Sequence, residues 1–210
     1  MKKIFLLSAF ALMLFIGNAQ NITLPSPNKQ GGQDVLHSID MRYSHRNFKD
    51  GDISLQDLST VLWAGFGESS SGKRTAPTAR NMQDIDLYVF LESGVYLWNY
   101  KENVLELIAK GDYRKETDNP NGFACNVTNI AIVSDLDKYS SVKNNEAMVV
   151  YGAMSSAYVS ENMYLAVCGA MPHLGTVTRN GAYREKAVRD IMKLKPSQRL
   201  FLFQTIGIKK

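Results

Sequence analysis

The run Arg42-Tyr43-Ser44-His45-Arg46-Asn47-Phe48 sets two guanidinium groups four residues apart with a hydroxyl between them. Each guanidinium offers planar, bidentate donors and the serine adds a third, a set suited to a phosphate. A helix running from Val35 to Arg46 would put Arg42 and Arg46 on one face, with Ser44 at its edge and Phe48 as an apolar anchor. The same residues also suit a solvated basic helix end, where cations complement the C-terminal dipole. Taken alone, they leave both readings open. Further along, Gly72-Lys73-Arg74-Thr75-Ala76-Pro77-Thr78-Ala79-Arg80-Asn81-Met82-Gln83 is dense in small residues, hydroxyls and amides. Such a loop can bring backbone N–H groups and an asparagine amide against a flat polar heterocycle.

Together the two stretches resemble the N-terminal half of the nitroreductase-like flavoprotein family. There, an Arg-x-Ser-x-Arg/Lys element holds the FMN phosphate and ribityl chain, and a Pro-Ser/Thr-small-x-Asn-x-Gln loop contacts the isoalloxazine ring. The motifs read Arg42-x-Ser44-x-Arg46 and Pro77-Thr78-Ala79-x-Asn81-x-Gln83 here. Lys73-Arg74-Thr75-Ala76-Pro77 is most similar to the branch containing azoline (thiazole/oxazole) oxidases. The resemblance covers nearly all of the chain beyond its first residues. It implies an α+β fold, with a central mixed or antiparallel sheet flanked by helices and a long helix at a dimer interface. It also implies FMN as cofactor, hydride transfer at flavin N5, and a site shared between two subunits. Arg42, Ser44 and Arg46 would hold the phosphate end; Pro77, Thr78, Ala79 and Asn81 would frame the ring. Thr176, Val177 and Arg179, in a loop after the long helix, would close the other side. Lys209, following the last glycine, would be a third cation near the phosphate, with a solvated tail as the alternative. Met171-Pro172-His173 stands where the family usually has Leu-Gly-Leu, and Glu161-Asn162 where it often has Gln-Asn.

The elements that must position these groups follow from pattern. A helix over Asp34–Met41 leads into the cationic stretch, and Ser54 caps a second helix to about Gly65 with Leu55, Leu58, Val61 and Leu62 on one face. Ile85 to Glu92, Gly94 to Tyr100 and Val104 to Ala109 read as strands joined by short turns. Asn126 to Ser134 holds the continuous apolar run of a buried strand. Asn145 to Met171 reads as one helix, apolar on most sides and about 40 Å long, which calls for burial in a core or a subunit interface. Tyr183 to Met192 is a short amphipathic helix and Arg199 to Ile206 a last strand. Residues 21–33 form an extended arm, and 112–123 a polar, turn-rich stretch over a site.

Met1 to Ala19 has the pattern of a cleaved secretory signal. Lys2 and Lys3 precede an apolar run from Ile4 to Ile16, and Gly17-x-Ala19 supplies small residues before Gln20. A periplasmic or secreted protein is expected, with residues 20–33 as an arm and 34–210 as one domain. Without Lys2 and Lys3 the charge is 22 Lys+Arg against 20 Asp+Glu, too even to argue for nucleic acid or a membrane surface. Neither standard nucleotide loop occurs. The three histidines are scattered and form no metal-ligand pair, so no metal site is expected. Two cysteines, Cys125 and Cys168, read as buried thiols rather than a disulfide framework. A flavin carries its own redox chemistry, so no side chain is assigned as acid or base. A protein of the same fold that captures a flavin or another planar ligand without turnover remains the alternative.

Overall fold

The computed structural model describes residues 20–118, 126–181 and 184–210. The expected signal sequence, Cys125, Tyr183 and residues 119–123 of the polar stretch lie outside the described residues. Strands β1 (Ile22–Thr23), β2 (Ile85–Leu91), β3 (Gly94–Asn99), β4 (Val104–Lys110), β5 (Thr128–Asp135), β6 (Leu174–Asn180) and β7 (Gln198–Ile208) form one sheet. Their order is β1-β4-β3-β2-β5-β7-β6 and every neighbouring pair is antiparallel. The expected α+β architecture is therefore found, with an antiparallel rather than a mixed sheet. The arm departs from expectation at its start, where β1 pairs with β4 as a short edge strand.

Helices α1 (Val35–Met41), α2 (Leu55–Phe66), α3 (Asn145–Ala170) and α4 (Glu185–Met192) cover the sheet. Side chains alternate across a strand, and β2 and β5 use both faces. Leu87, Val89, Ile130 and Ile132 join the α2–α3 side with Leu58, Leu62, Val159 and Met163. Tyr88, Phe90, Ala131 and Val133 join the α4 side with Val188 and Met192. Burial on both faces is why these strands read as continuous apolar runs instead of alternating ones.

The caps follow the sequence closely. Ser54 accepts from the Asp57 N–H at the start of α2, Asp34 from His37 at α1, and Asn144 from Glu146 and Ala147 at α3. The long helix was expected to Met171, and Met171 is its C-terminal cap. Pro172 then prevents continuation. Across the α3 side of the sheet runs a buried polar seam. Gln204 accepts from Ser160 and Thr178 and donates to the Thr176 hydroxyl, which donates to the Thr205 carbonyl. On the other face of the sheet, the Thr205 hydroxyl donates to the Asn129 side-chain oxygen. Every member is satisfied, so the seam fixes the register of β6 on β7 as well as the seat of α3.

Candidate functional site

The cationic stretch is extended, not helical. α1 stops at Met41, and Arg42 already has φ −69° and ψ 121°. The chain beyond it bonds to the sheet instead of to itself: His45 N–H donates to the Thr176 carbonyl and Lys49 N–H to that of Ile208. The helix expected over Asp34–Met41 is found, and its continuation to Arg46 is replaced by hydrogen bonds to the sheet. In extended backbone, alternate residues share a side, and Arg42 and Ser44 both meet Tyr164 of α3. The Arg42 guanidinium lies 5.3 Å from the Tyr164 ring centroid, and Ser44 Oγ is 3.0 Å from the Tyr164 hydroxyl. That hydroxyl accepts the Thr178 N–H at 2.8 Å. Its own proton can therefore go to Ser44, which leaves the Ser44 proton available to an anion.

Two glycines make room for this arrangement. Gly175 of β6 and Gly207 of β7 are direct partners across the strands. A Cβ on Gly175 would fall on the His45 ring, and one on Gly207 would come 2.9 Å from the Phe48 ring. Phe48 is buried with Val127 and Val177, the anchor its position suggests. It also pairs with Lys209, whose Nζ donates to the Pro172 carbonyl at 3.1 Å and lies 5.7 Å from the Tyr43 ring. Lys209 is thus docked beside the Arg42–Arg46 stretch and is no free tail. Arg46 is exposed and donates only to the Ser44 carbonyl, at 3.3 Å. Among the described residues, none of Arg42, Arg46 and Lys209 forms an ion pair.

The second stretch is anchored at its root and open at its tip. Thr75 donates its N–H to the Gly67 carbonyl and its hydroxyl to that of Trp63, and its own carbonyl accepts from the Asn162 amide of α3. Ala76 is buried, whereas Pro77 and Asn81 are exposed and Thr78 and Ala79 half-buried. The Thr78 hydroxyl accepts the Gln83 N–H across the turn. Arg80, Asn81 and Gln83 have φ of 53°, 56° and 49°, a left-handed backbone that costs roughly 1–2 kcal/mol per residue. Strain of this kind collects at ligand-binding turns. No hydrogen bond, ion pair or ring contact among the described residues joins this loop to the cationic stretch within one chain.

The third group differs from expectation in conformation. Thr176, Val177 and Arg179 lie on β6, not in a loop, because consecutive β-branched residues at 176–178 pair with β7. Val177 is core. The Thr176 hydroxyl belongs to the polar seam. The Arg179 guanidinium bonds Thr205 Oγ1 and Asn129 Oδ1, at 2.9 and 2.8 Å, and the Thr117 carbonyl. Sequence reading missed Tyr164, Thr178 and the glycine pair. Tyr164 was hidden in a helix apolar on most sides, and the glycines become a pair only once β6 and β7 are in register.

A sequence profile of the nitroreductase family matches residues 39–208, and the chain belongs to that family. Among solved structures, it is similar to a candidate nitroreductase from Ralstonia eutropha JMP134. The two are 28% identical, with a TM-score of 0.83 over 93% of this chain and 92% of the other. It shares its fold with a candidate nitroreductase in complex with FMN from Desulfovibrio desulfuricans, at 18% identity and TM-score 0.59 over 85% and 88%. The fold is also that of a chain in the Escherichia coli microcin synthetase McbBCD complex with truncated pro-MccB17 bound. There the identity is 15% and the TM-score 0.68, over 99% and 85%. No curated protein matches the sequence.

Proposed function

We propose that the protein is an exported, dimeric, FMN-dependent oxidoreductase acting on a small organic substrate. The observation that carries the reading is the extended stretch of Arg42, Ser44 and Arg46 with Lys209 docked beside it, whose three cations form no ion pair among the described residues. Cations without an ion-pair partner favour an anion, and a phosphate with several acceptor oxygens fits a donor set of two guanidinium groups and a hydroxyl. Arg42 and Arg46 would take the phosphate, Ser44 would add its hydroxyl, and Lys209 would add a point charge. Pro77, Thr78, Ala79 and Asn81 would frame the ring, held at a strained turn that Asn162 ties to α3. Thr176, Val177 and Arg179 would back the opposite side through the rigid strand β6. When bound, FMN supplies hydride transfer at its N5 atom. The chain supplies binding, orientation and exclusion of water.

Two observations support a dimer. Val150, Met154 and Tyr158 form an exposed apolar stripe along α3 at four-residue spacing, and Val35, Leu36 and Ile39 are exposed on α1. The phosphate corner and the ring loop are also separate within one chain, as halves of a site completed by a second copy would be. Export rests on the sequence of residues 1–19 and predicts a mature N-terminus at Gln20.

The test is to titrate the purified protein with FMN, reduce the complex with a screen of electron donors, and follow reoxidation. Saturable FMN binding with a full reduction and reoxidation cycle is expected. Binding without any cycle would leave a flavin carrier, and no binding would overturn the reading. Light scattering is expected to give twice the chain mass, and mass spectrometry of exported protein to begin at Gln20. An intact Met1 in exported protein would count against processing.

A further inference from the structure

Arg74 sits at the root of the Pro77–Gln83 loop and is a different kind of arginine from those of the phosphate corner. Its Cζ lies 4.0 Å from the Phe66 ring centroid and 3.6 Å from that of Tyr100, so two aromatic rings flank the guanidinium. Its Nε and Nη1 are buried and have no hydrogen-bond partner. Burial lowers its pKa from 12.5 to about 10, with Tyr100, Glu68 and Asp86 acting in the other direction. It therefore keeps its proton at neutral pH. A charged group with two unanswered N–H donors is costly inside a protein. The aromatic faces offset part of that cost, but they leave the donor edges unsatisfied.

Arg74 also lines a cavity of about 180 Å³, together with Gln83, Asp86, Trp98, Tyr100 and Lys138. At ~30 Å³ per water this holds the volume of roughly six waters, room for a small organic ion. Asp86 is the only carboxylate in the lining. It accepts from the Gln198 amide, and burial pushes its carboxyl above the ordinary range. Two cations therefore face one carboxylate already engaged elsewhere, and the cavity favours an anion. A flat carboxylate suits a guanidinium edge held beside aromatic rings better than a tetrahedral phosphate does.

We propose that Arg74 and Lys138 form a binding site for a small organic carboxylate at the root of the loop. The site itself stands on Arg74 and its cavity. Only its assignment as the place where a substrate's carboxylate is held rests on the flavoprotein reading.

The test is calorimetric titration of the full-length mature protein with benzoate and with its neutral isostere benzamide, in wild type, Arg74→Gln and Lys138→Gln. Saturable benzoate binding is expected in wild type, with benzamide at least ten-fold weaker. Arg74→Gln should weaken benzoate at least ten-fold, and Lys138→Gln, on an exposed side chain, several-fold. Equal affinity for benzoate and benzamide, no saturable benzoate binding, or unchanged affinity in both variants would overturn the proposal. If Arg74→Gln fails to fold, the benzamide comparison and Lys138→Gln decide it. Parallel FMN titrations keep the two readings apart. Benzoate binding without FMN binding would leave the carboxylate site standing and remove the flavoprotein reading, whereas the reverse result would remove the carboxylate site alone.

Discussion

Arg114 and Arg42 show two uses of the same side chain. Arg114 is almost fully buried and ion-paired, to Asp52 at 3.0 Å and Asp112 at 2.8 Å, with Glu92 further out at 3.8 Å. It stitches the turn before α2 to the chain beyond β4, and all its charge is answered within the protein. Arg42 is half-buried on a tyrosine face, and no carboxylate answers it. One arginine is wired into the scaffold and the other is held by packing and left electrostatically open. The difference separates a structural cation from one proposed to bind more sharply than motif or exposure does.

Substitutions can break that contrast. Arg114→Ala should cost about 3–5 kcal/mol in urea unfolding, because it leaves Asp52 partly buried without its partner, while the folded fraction keeps its FMN affinity. A loss below 1 kcal/mol would place Arg114 among the open cations. Arg42→Ala and Arg46→Ala should do the reverse. Each removes a charge-assisted bond worth roughly 1.5–3 kcal/mol, so FMN should weaken about 10- to 100-fold, with stability within about 0.5 kcal/mol of wild type. Riboflavin, lacking the phosphate, should bind poorly and respond little to either change. Equal FMN affinity in all three proteins would return these arginines to solvated charges.

Gly175→Ala sharpens the point without touching a charge. Its Cβ would displace His45, so about 1–3 kcal/mol of stability should be lost through overpacking. FMN affinity should fall with it, as the phosphate stretch loses its seat. Asp112→Asn should have the smallest effect, and a pH-dependent one. Hydrogen bonding from Arg114 holds the Asp112 carboxyl below its ordinary 3.8. Its contribution is therefore complete above that value and is lost as pH falls through the lowered one. Unfolding curves of the variant and wild type should differ at neutral pH and converge in acid. A difference that persists at low pH would mean the effect is not electrostatic.

Much of this was legible in the chain. Ser54, Asp34 and Asn144 carry cap chemistry in their own side chains, and the alternating contacts of β2 and β5 follow from an unbroken apolar run. The residues proposed to hold a phosphate stand out by type, but their extended conformation does not. Arg42 to Arg46 has no residue that forbids a helix, and only the outer backbone groups of β6 and β7 draw it into extended form. The 174–180 stretch was misread for a related reason. Family analogy favoured a loop, while three consecutive β-branched residues and a partner strand at the far end of the chain favoured a strand. Arg74 was visible as a motif position, but its environment is built from the ends of α2 and β3, which sequence spacing cannot bring together.

The segment that carries Ser44 and Arg46 also touches β6, the last strand of the sheet, through the His45 N–H. An uncovered edge strand presents a row of unpaired amides and carbonyls that can template aggregation. His45 N–H donates to the Thr176 carbonyl, Lys49 N–H to that of Ile208, and Lys210 N–H to that of Asn47. One ribbon of chain therefore carries the proposed phosphate-binding residues and also covers part of this edge. A molecule in which this ribbon peels away should lose the proposed phosphate site and uncover the Thr176 carbonyl in the same event.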